Sequence, residues 1–462
     1  MRPSLRCRRQ GILPFVLKLG AREDVTSRAG LPLVVETCRA LGLDEQARAL
    51  FGPPRRACDF GADEQIETLV TLIAAGGERI EDIRILSDDK GLLRLLGRPF
   101  ASPDSLLDFL KSFHDERCWD GRPEGKKAFV PPESARLQAL EALNQTLVRR
   151  AADPEQRKAT IDHDGTIIEA HKRGVLRAYE GTRGYQPLVA CWAEEQLIVA
   201  EEFRDGNVAG GEDPLSSVRR AFDALPSSVT KRYFRSDSAA YYTPLLKYLV
   251  REDIGFAISA DMSRELRSRC VALAECAWEE LEVREEVRVD LADVEFEPED
   301  WSKSARPLRY VALRFTPLQS GLFGEGGPRY FAVVSNREDL TKAELVEWHR
   351  GKAGTIEHVH RVMKGELGAG VMPCQAFGAN AAWFRLNALT FNLLTALKRK
   401  ALPARLLDAR PKRLRFEVFT LAGKLAVHES QLTVQTSASE ERLRELVSAR
   451  ERLLCLASTA RA

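Results

Sequence analysis

Apolar residues recur at three- and four-residue spacing through much of residues 1–150, which predicts a mainly helical region. The repeat is plain in Glu64–Ala75 and Ile80–Leu96, and Ser102-Pro103-Asp104 reads as a helix start before Leu106–Phe113. Cys118–Pro132 is rich in Gly, Pro and charge, as a linker would be, and Leu137, Leu140, Leu143 and Leu147 then carry a helix through Ser134–Arg149. Near residue 157 the pattern changes. Ala159–Ile168, Gly184–Trp192 and Gln196–Phe203 read as strands, the last two joined by a polar turn at Ala193–Glu195. Asp213–Ala224 is helical, Tyr233–Arg235 a short strand, Ala239–Arg251 a helix and Ile254–Ser259 another strand.

Three strands followed by helix–strand–helix–strand is the order of an α/β, ribonuclease-H-like core: a mixed sheet flanked by helices. The pattern is then interrupted. Leu281–Phe296 alternates apolar with charged residues, and Arg309–Phe315 and Arg329–Val334 are further strands joined by the Gly-rich Gly321–Gly327. Helix returns over Leu340–Leu367, opened by the capping signature Thr341–Glu344, and again over Gly378–Lys400. Beyond Pro403 and Pro411, Leu414–Phe419 and Lys424–Val434 predict a β-hairpin, and Ser439–Leu456 a terminal helix. The expected organisation is a helical N-terminal domain (1–150), a ribonuclease-H-like core (151–261 with 339–400), a β-rich insertion (262–338), and a C-terminal hairpin and helix (401–462).

With 462 residues, 44% hydrophobic and 29% charged, the chain suits two to four folded domains and not a disordered polyelectrolyte. A net charge of +2 says little, but its distribution is uneven. Basic residues gather at Arg2, Arg6, Arg8 and Arg9 and again at Lys398, Arg399, Lys400, Arg410, Lys412, Arg413 and Arg415, while acids crowd 275–300. Each cluster reads equally as a solvated face or as a grip on phosphates. The nine cysteines include no CxxC pair, which points to reduced thiols in a cytoplasmic protein. His358 and His360 stand two apart, so a helix turns them in different directions. No apolar run approaches the roughly 20 residues of a membrane span. Gly11–Leu19 is short, interrupted by Pro14 and Lys18, and reads as no export signal.

Acids stand at three places that these elements would bring together. Asp162 and Asp164 lie two apart on the expected central strand and so share a face. Asp237 follows a strand at its carboxyl end, where open α/β sheets place their sites. Glu357 is expected mid-helix, with His360, Arg361 and Lys364 on its face. Carboxylates from a strand, a strand end and a helix make an oxygen cage for Mg²⁺, which suits phosphodiester chemistry. Each acid alone has a plainer reading: Asp237 as a helix cap, Glu357 as a solvated helix residue, Lys364 as a partner for some carboxylate. Two aspartates on an interior strand are harder to explain that way, since a buried Asp is rare unless paired or bound to metal.

The segments TIDHDGTIIEAHKR (160–173), YFRSDSAAYY (233–242) and GTIEHVHRVMKGELGAGVMPC (354–374), the last followed by FGANAAWFRLNALTFNLL (377–394), resemble bacterial insertion-sequence transposases of the DDE class. The similarity is to the cut-and-paste group with a β insertion before the glutamate, and it extends over about 155–430. RAGLPLV (28–34) and AAGGERIEDI (74–83) resemble the helical N-terminal region of the same proteins. The resemblance implies Asp164, Asp237 and Glu357 as catalytic residues and metal ligands, with Asp162 a further ligand candidate. Lys364 matches a lysine seven residues after the glutamate. Arg350 and Lys352 stand where that family has a tyrosine and an arginine, a departure that leaves two cations for phosphates. Together with Arg361 they are the expected DNA contacts.

What the resemblance implies is a DNA transposase using two Mg²⁺ ions, with Mn²⁺ able to substitute. It would cut at terminal inverted repeats and join the 3′-OH to target DNA. The partners implied are double-stranded DNA and a second copy of the chain on DNA, with no membrane, in the cytoplasm and at the nucleoid when bound. End binding is assigned to about 20–115, with 398–415 assisting. Trp278 and Trp301 are eligible to stack on a flipped base, or to serve as core. Two other readings share the core: an inactive transposase-derived DNA-binding protein, and a ribonuclease-H-like nuclease or resolvase without strand transfer.

Overall fold

The computed structural model describes residues 24–460 apart from 55, 57–58, 126, 173–174, 179, 285, 302–306, 319–326 and 430. The cluster Arg2, Arg6, Arg8 and Arg9, the stretch Gly11–Leu19 and most of Gly321–Gly327 lie outside the described residues. After a two-residue strand β1 (Val25–Thr26) come helices α1 (Pro32–Ala40), α2 (Leu43–Phe51), α3 (Ala62–Ala75), α4 (Ile83–Ser87), α5 (Lys90–Leu96), α6 (Pro103–Lys111) and α7 (Ala135–Ala151). Side-chain caps set several starts: Ser102 accepts from the Ser105 N–H and Ser134 from that of Leu137. The single helix expected over Ile80–Leu96 is instead a 3-10 turn and two helices. Asp89 interrupts it, its carboxylate accepting from the Leu92 N–H to begin α5.

The central region runs β2 (Lys158–Gly165), β3 (Ile168–Glu169), β4 (Gly184–Tyr185), β5 (Leu188–Trp192), β6 (Leu197–Glu202), α8 (Leu215–Asp223), β7 (Lys231–Ser236), α9 (Thr243–Arg251), β8 (Gly255–Ser259) and α10 (Arg264–Ala272). Four more strands follow: β9 (Glu279–Arg284), β10 (Val287–Val294), β11 (Arg309–Pro317) and β12 (Arg329–Ser335). Among the described residues nine strands form one mixed sheet in the order β6-β5-β2-β7-β8-β12-β11-β10-β9. β2 pairs antiparallel with β5 and parallel with β7, and β7 parallel with β8, which is the ribonuclease-H-like arrangement. Gly184–Trp192 is not one strand. Pro187 lacks an N–H, so β4 turns aside to pair with β3 while β5 joins the main sheet. The strands of 279–335 extend the same sheet, because β12 pairs with β8 through Val333–Ser335. Leu281–Phe296, which reads as one alternation, folds back on itself as the β9–β10 hairpin.

Helices α11 (Lys342–Arg350), α12 (Ile356–Gly365) and α13 (Phe377–Lys400) complete the core. α13 is buried from Gly378 to Leu397. From it Asn392, with Asn144 of α7, hydrogen-bonds the free backbone N–H and C=O of Ile198 on the outermost strand β6. Side chains thus satisfy the backbone of Ile198 on this edge strand, which blunts it there against pairing with another chain. Toward the C-terminus come α14 (Pro411–Leu414), β13 (Gly423–His428), β14 (Gln431–Thr436) and α15 (Glu440–Ala460). The expected strand at Leu414–Phe419 is helical instead. Pro411 takes the first helical position, and Leu414 and Val418, four apart, share the buried face. The hairpin is β13–β14, and β13 also pairs with β1, while α15 packs on α1.

Candidate active site

β2 is interior on both faces, and Ala159 through His163 are all buried. An ionised Asp there needs full compensation. Asp162 finds it in Arg235, directly across the β2–β7 register: Nε and Nη2 bind its two oxygens at 2.7 and 2.8 Å. The Thr355 hydroxyl donates to the same carboxylate, and Arg235 Nη1 donates to the Trp348 carbonyl at 2.6 Å. Asp162 is therefore committed to a buried ion pair that ties two strands to the segment between α11 and α12. His163 points to the other face, its Nε2 2.9 Å from the Ser217 hydroxyl.

That segment corrects the helix expected over Leu340–Leu367. α11 opens with the Thr341–Glu344 capping box but stops at Arg350, and a 3-10 turn over Gly351–Gly354 precedes α12. The Arg235 guanidinium approaches so closely that a Cβ on Gly351 would stand 2.6 Å from Nη1. Glu357 is consequently in the first turn of α12, exposed, and not mid-helix.

Asp164 sits where β2 emerges toward solvent, its Oδ1 accepting from the Gly165 N–H at 2.9 Å. Asp237 follows β7 and caps the next turn through the Ala239 N–H at 3.1 Å, so the plain cap reading is realised. Its second oxygen has no donor among the described residues. The Asp164 carboxyl is pushed up to about 6 by burial and by the negative charge of Asp237, with Glu357 adding to it. Lys352 and the Gly165 N–H oppose the rise. Asp237, Glu357 and Lys352 thus all reach Asp164 electrostatically.

His360 of α12 is buried with its Nε2 3.9 Å from Asp164 and without a hydrogen bond. Burial, with Lys364 and Lys352 nearby, brings its imidazole down to about 4, so it is neutral. Lys364 donates to the Thr166 hydroxyl at 2.8 Å, just past the end of β2. Arg361 is exposed on α12. Arg350 borders the same groove as Asp237, but Glu282 of β9 holds its guanidinium at 2.6 Å. Trp301 is buried, and Trp278 lies 4.6 Å beneath the Arg314 guanidinium.

Among the described residues no three His, Cys, Asp or Glu side chains stand close enough together to hold a metal ion. The donor chemistry nonetheless fits a hard divalent cation. The three acids offer only oxygen, Glu357 accepts no hydrogen bond from the described residues, and the crowding that raises Asp164 is what a cation would relieve. Reading the sequence missed Arg235, Thr355 and Gly351 as the frame of this site and gave His360 no role. Arg235 precedes Ser236-Asp237 and could have been flagged as the basic residue on the neighbouring strand. Its pairing with Asp162 depends on strand register, which one sequence does not specify.

No curated protein matches the chain. Among solved structures it is similar to a piggyBac transposase synaptic complex with hairpin DNA, determined by cryo-EM. The identity is 12%, the coverage 86% of this chain and 81% of that one, and the TM-score 0.43. The family model for transposase DDE domain group 1 matches residues 20–457, and the chain belongs to that family of transposases.

Proposed function

We propose that this transposase cuts DNA at the ends of its own element and joins the freed 3′-OH to target DNA, with Asp164, Asp237 and Glu357 as ligands of two Mg²⁺ ions. The observation that carries the reading is the Asp164 carboxyl, raised by burial and by the charges of Asp237 and Glu357, which reach it from a second strand end and from a helix start. When bound, such ions stabilise the attacking and leaving oxygens of an in-line displacement, and Mn²⁺ serves in the same site. The chain's own side chains position. Lys364, moored at Thr166 and Ile167, sets a point charge beside the ligands for a DNA phosphate. Lys352 adds a cation that acts on Asp164, Arg361 adds another on the exposed side of α12, and neutral His360 packs against Asp164 without competing for its charge. The Asp162–Arg235–Thr355 cluster fixes the start of α12, and so Glu357, against the central strand. Water is the nucleophile of the first cut and a DNA 3′-OH that of joining. Two ends must meet, so the acting form on DNA is a dimer.

The test uses purified protein, Mg²⁺ or Mn²⁺, and labelled duplexes bearing the element's ends. Junction cleavage and strand-transfer products are expected from wild type and from none of Asp164→Ala, Asp237→Ala and Glu357→Ala, with DNA binding retained by all. Cleavage that survives any of the three substitutions would remove that residue from the site. Binding without cleavage by wild type would overturn the catalytic reading.

A further inference from the structure

Helix α12 turns His358 and Arg361 outward next to Glu357. Lys398, in the last turn of α13, and Arg410, ahead of α14, reach the same face. Arg361, Lys398 and Arg410 all stand near His358, and Arg410 meets the chain just past the end of α12 through Glu366 at 3.2 Å. From Arg410 the surface continues through Lys412, Arg413 and Arg415, which with Asp408, Phe416 and Thr420 line a shallow groove of about 680 Å³. The carboxylates here are largely committed. Glu366 is nearly buried and binds Arg410 at 3.2 Å and the Lys412 N–H at 2.9 Å, and Glu417 is held by Arg413 at 2.6 Å and by Arg405. Asp408 is exposed. Arg415 is also committed, donating to the Glu366 carbonyl. By contrast, no hydrogen bond or ion pair among the described residues engages the Arg361, Lys398 or Lys412 side chains. Phe416, 82% exposed, stands among these cations.

Arg361, Lys398 and Lys412 thus add cations to paired arginines with only Asp408 acting against Lys398, and a polyanion relieves such an excess of like charge. Regularly spaced phosphates with sugars between them also give an aromatic ring an apolar surface to lie against. We propose that the strip from Arg361 through Lys398 and Arg410 to Lys412 and Phe416 is a duplex-DNA surface. It leads DNA away from the Glu357 end of α12 along the outside of the molecule. The inference rests on the proposed reading of the site, to which it adds the path of the substrate.

Binding of a labelled duplex is measured by fluorescence anisotropy over a series of salt concentrations, for the full chain. The variants are Lys398→Gln, Lys412→Gln and Phe416→Ala, with Lys231→Gln, exposed at the opposite end of β7, as control. Each strip lysine is expected to contribute about 0.9 to the slope of log affinity against log salt, which is up to about eightfold in affinity at 0.1 M. Phe416→Ala is expected to weaken binding with the slope unchanged. Lys412→Arg should restore both affinity and slope, which a merely misfolded variant would not allow. Unchanged affinity and slope in the strip variants while wild type binds would overturn the surface and leave it to an acidic protein partner, with the transposase reading intact. An equal loss in the Lys231→Gln control would reduce the effect to net charge and overturn the surface as well. Failure of wild type to bind any duplex would overturn both.

Discussion

Asp162 and Asp164 face the same side of β2, two residues and one pleat apart, and their surroundings push them in opposite directions. Asp162 has a bidentate arginine and a threonine hydroxyl, so its charge is matched where it is buried. Asp164 is half-buried beside other carboxylates, so its charge opposes folding. Removing one member of a buried pair leaves the other uncompensated, at a cost of about 3–5 kcal/mol. Asp162→Asn is therefore expected to lower the denaturant midpoint sharply. Asp164→Asn is expected to raise it in metal-free buffer while abolishing cleavage. The folded Asp164 titrates near 6 against an unfolded value of 3.8, so the folded state holds its proton more tightly between those values. Stability from this group is present below about pH 4 and lost as pH rises through 6. The gain in Asp164→Asn should thus be at most about 3 kcal/mol at pH 7 and vanish near pH 4. Equal effects of the two substitutions would mean that Asp162 is not the paired residue.

At the scale of elements, the break between α11 and α12 decides where Glu357 points. Gly351 and Gly354 lie in the same 3-10 turn but differ in their surroundings. A Cβ at Gly351 meets the Arg235 guanidinium, whereas one at Gly354 meets nothing within 4 Å. Gly354→Ala should be neutral or stabilise by about 0.4–1 kcal/mol through the unfolded chain. Gly351→Ala should displace Arg235 from Asp162 or from the Trp348 carbonyl, with a loss of about 1–3 kcal/mol and slower cleavage as α12 shifts. Thermal melts and cleavage rates of the pair would show it; a harmless Gly351→Ala would mean Arg235 does not set the break. The two glycines were visible in the sequence, but the apolar spacing of Leu345, Val346, Val359 and Val362 runs on through them and reads as one helix. Leu414–Phe419 misled similarly: six residues of alternating apolar character suit a strand or a short helix, and only packing decides. The strand–helix order of the core was legible because segments such as Ala159–Ile168, Gln196–Phe203 and Gly378–Lys400 carry a clear period, which placed the shorter Tyr233–Arg235 between them. What joins those segments, the Asp162–Arg235 pairing and the joining of β12 to β8, rests on contacts distant in sequence that no local pattern carries.

Across the whole molecule, the candidate ligands belong to pieces of chain far apart in sequence: the ends of β2 and β7 and the start of α12. These are held together by the sheet and by the buried cluster around Arg235. A cation bound between them would cross-link the core where these carboxylates crowd Asp164, so it should stabilise the entire fold, and local order would be only part of the effect. For one site saturated to ten times its dissociation constant, linkage gives about 1.4 kcal/mol. Mg²⁺ or Mn²⁺ is expected to raise the melting temperature of wild type in a dose-dependent way. Asp164→Asn should begin higher without metal, because the repulsion is already gone, and should gain little on adding it. Asp162→Asn should begin lower yet still respond, since its defect lies in the frame and its three candidate ligands remain. An Asp162→Asn protein that lost its response while Asp164→Asn kept one would exchange the roles assigned to the two aspartates.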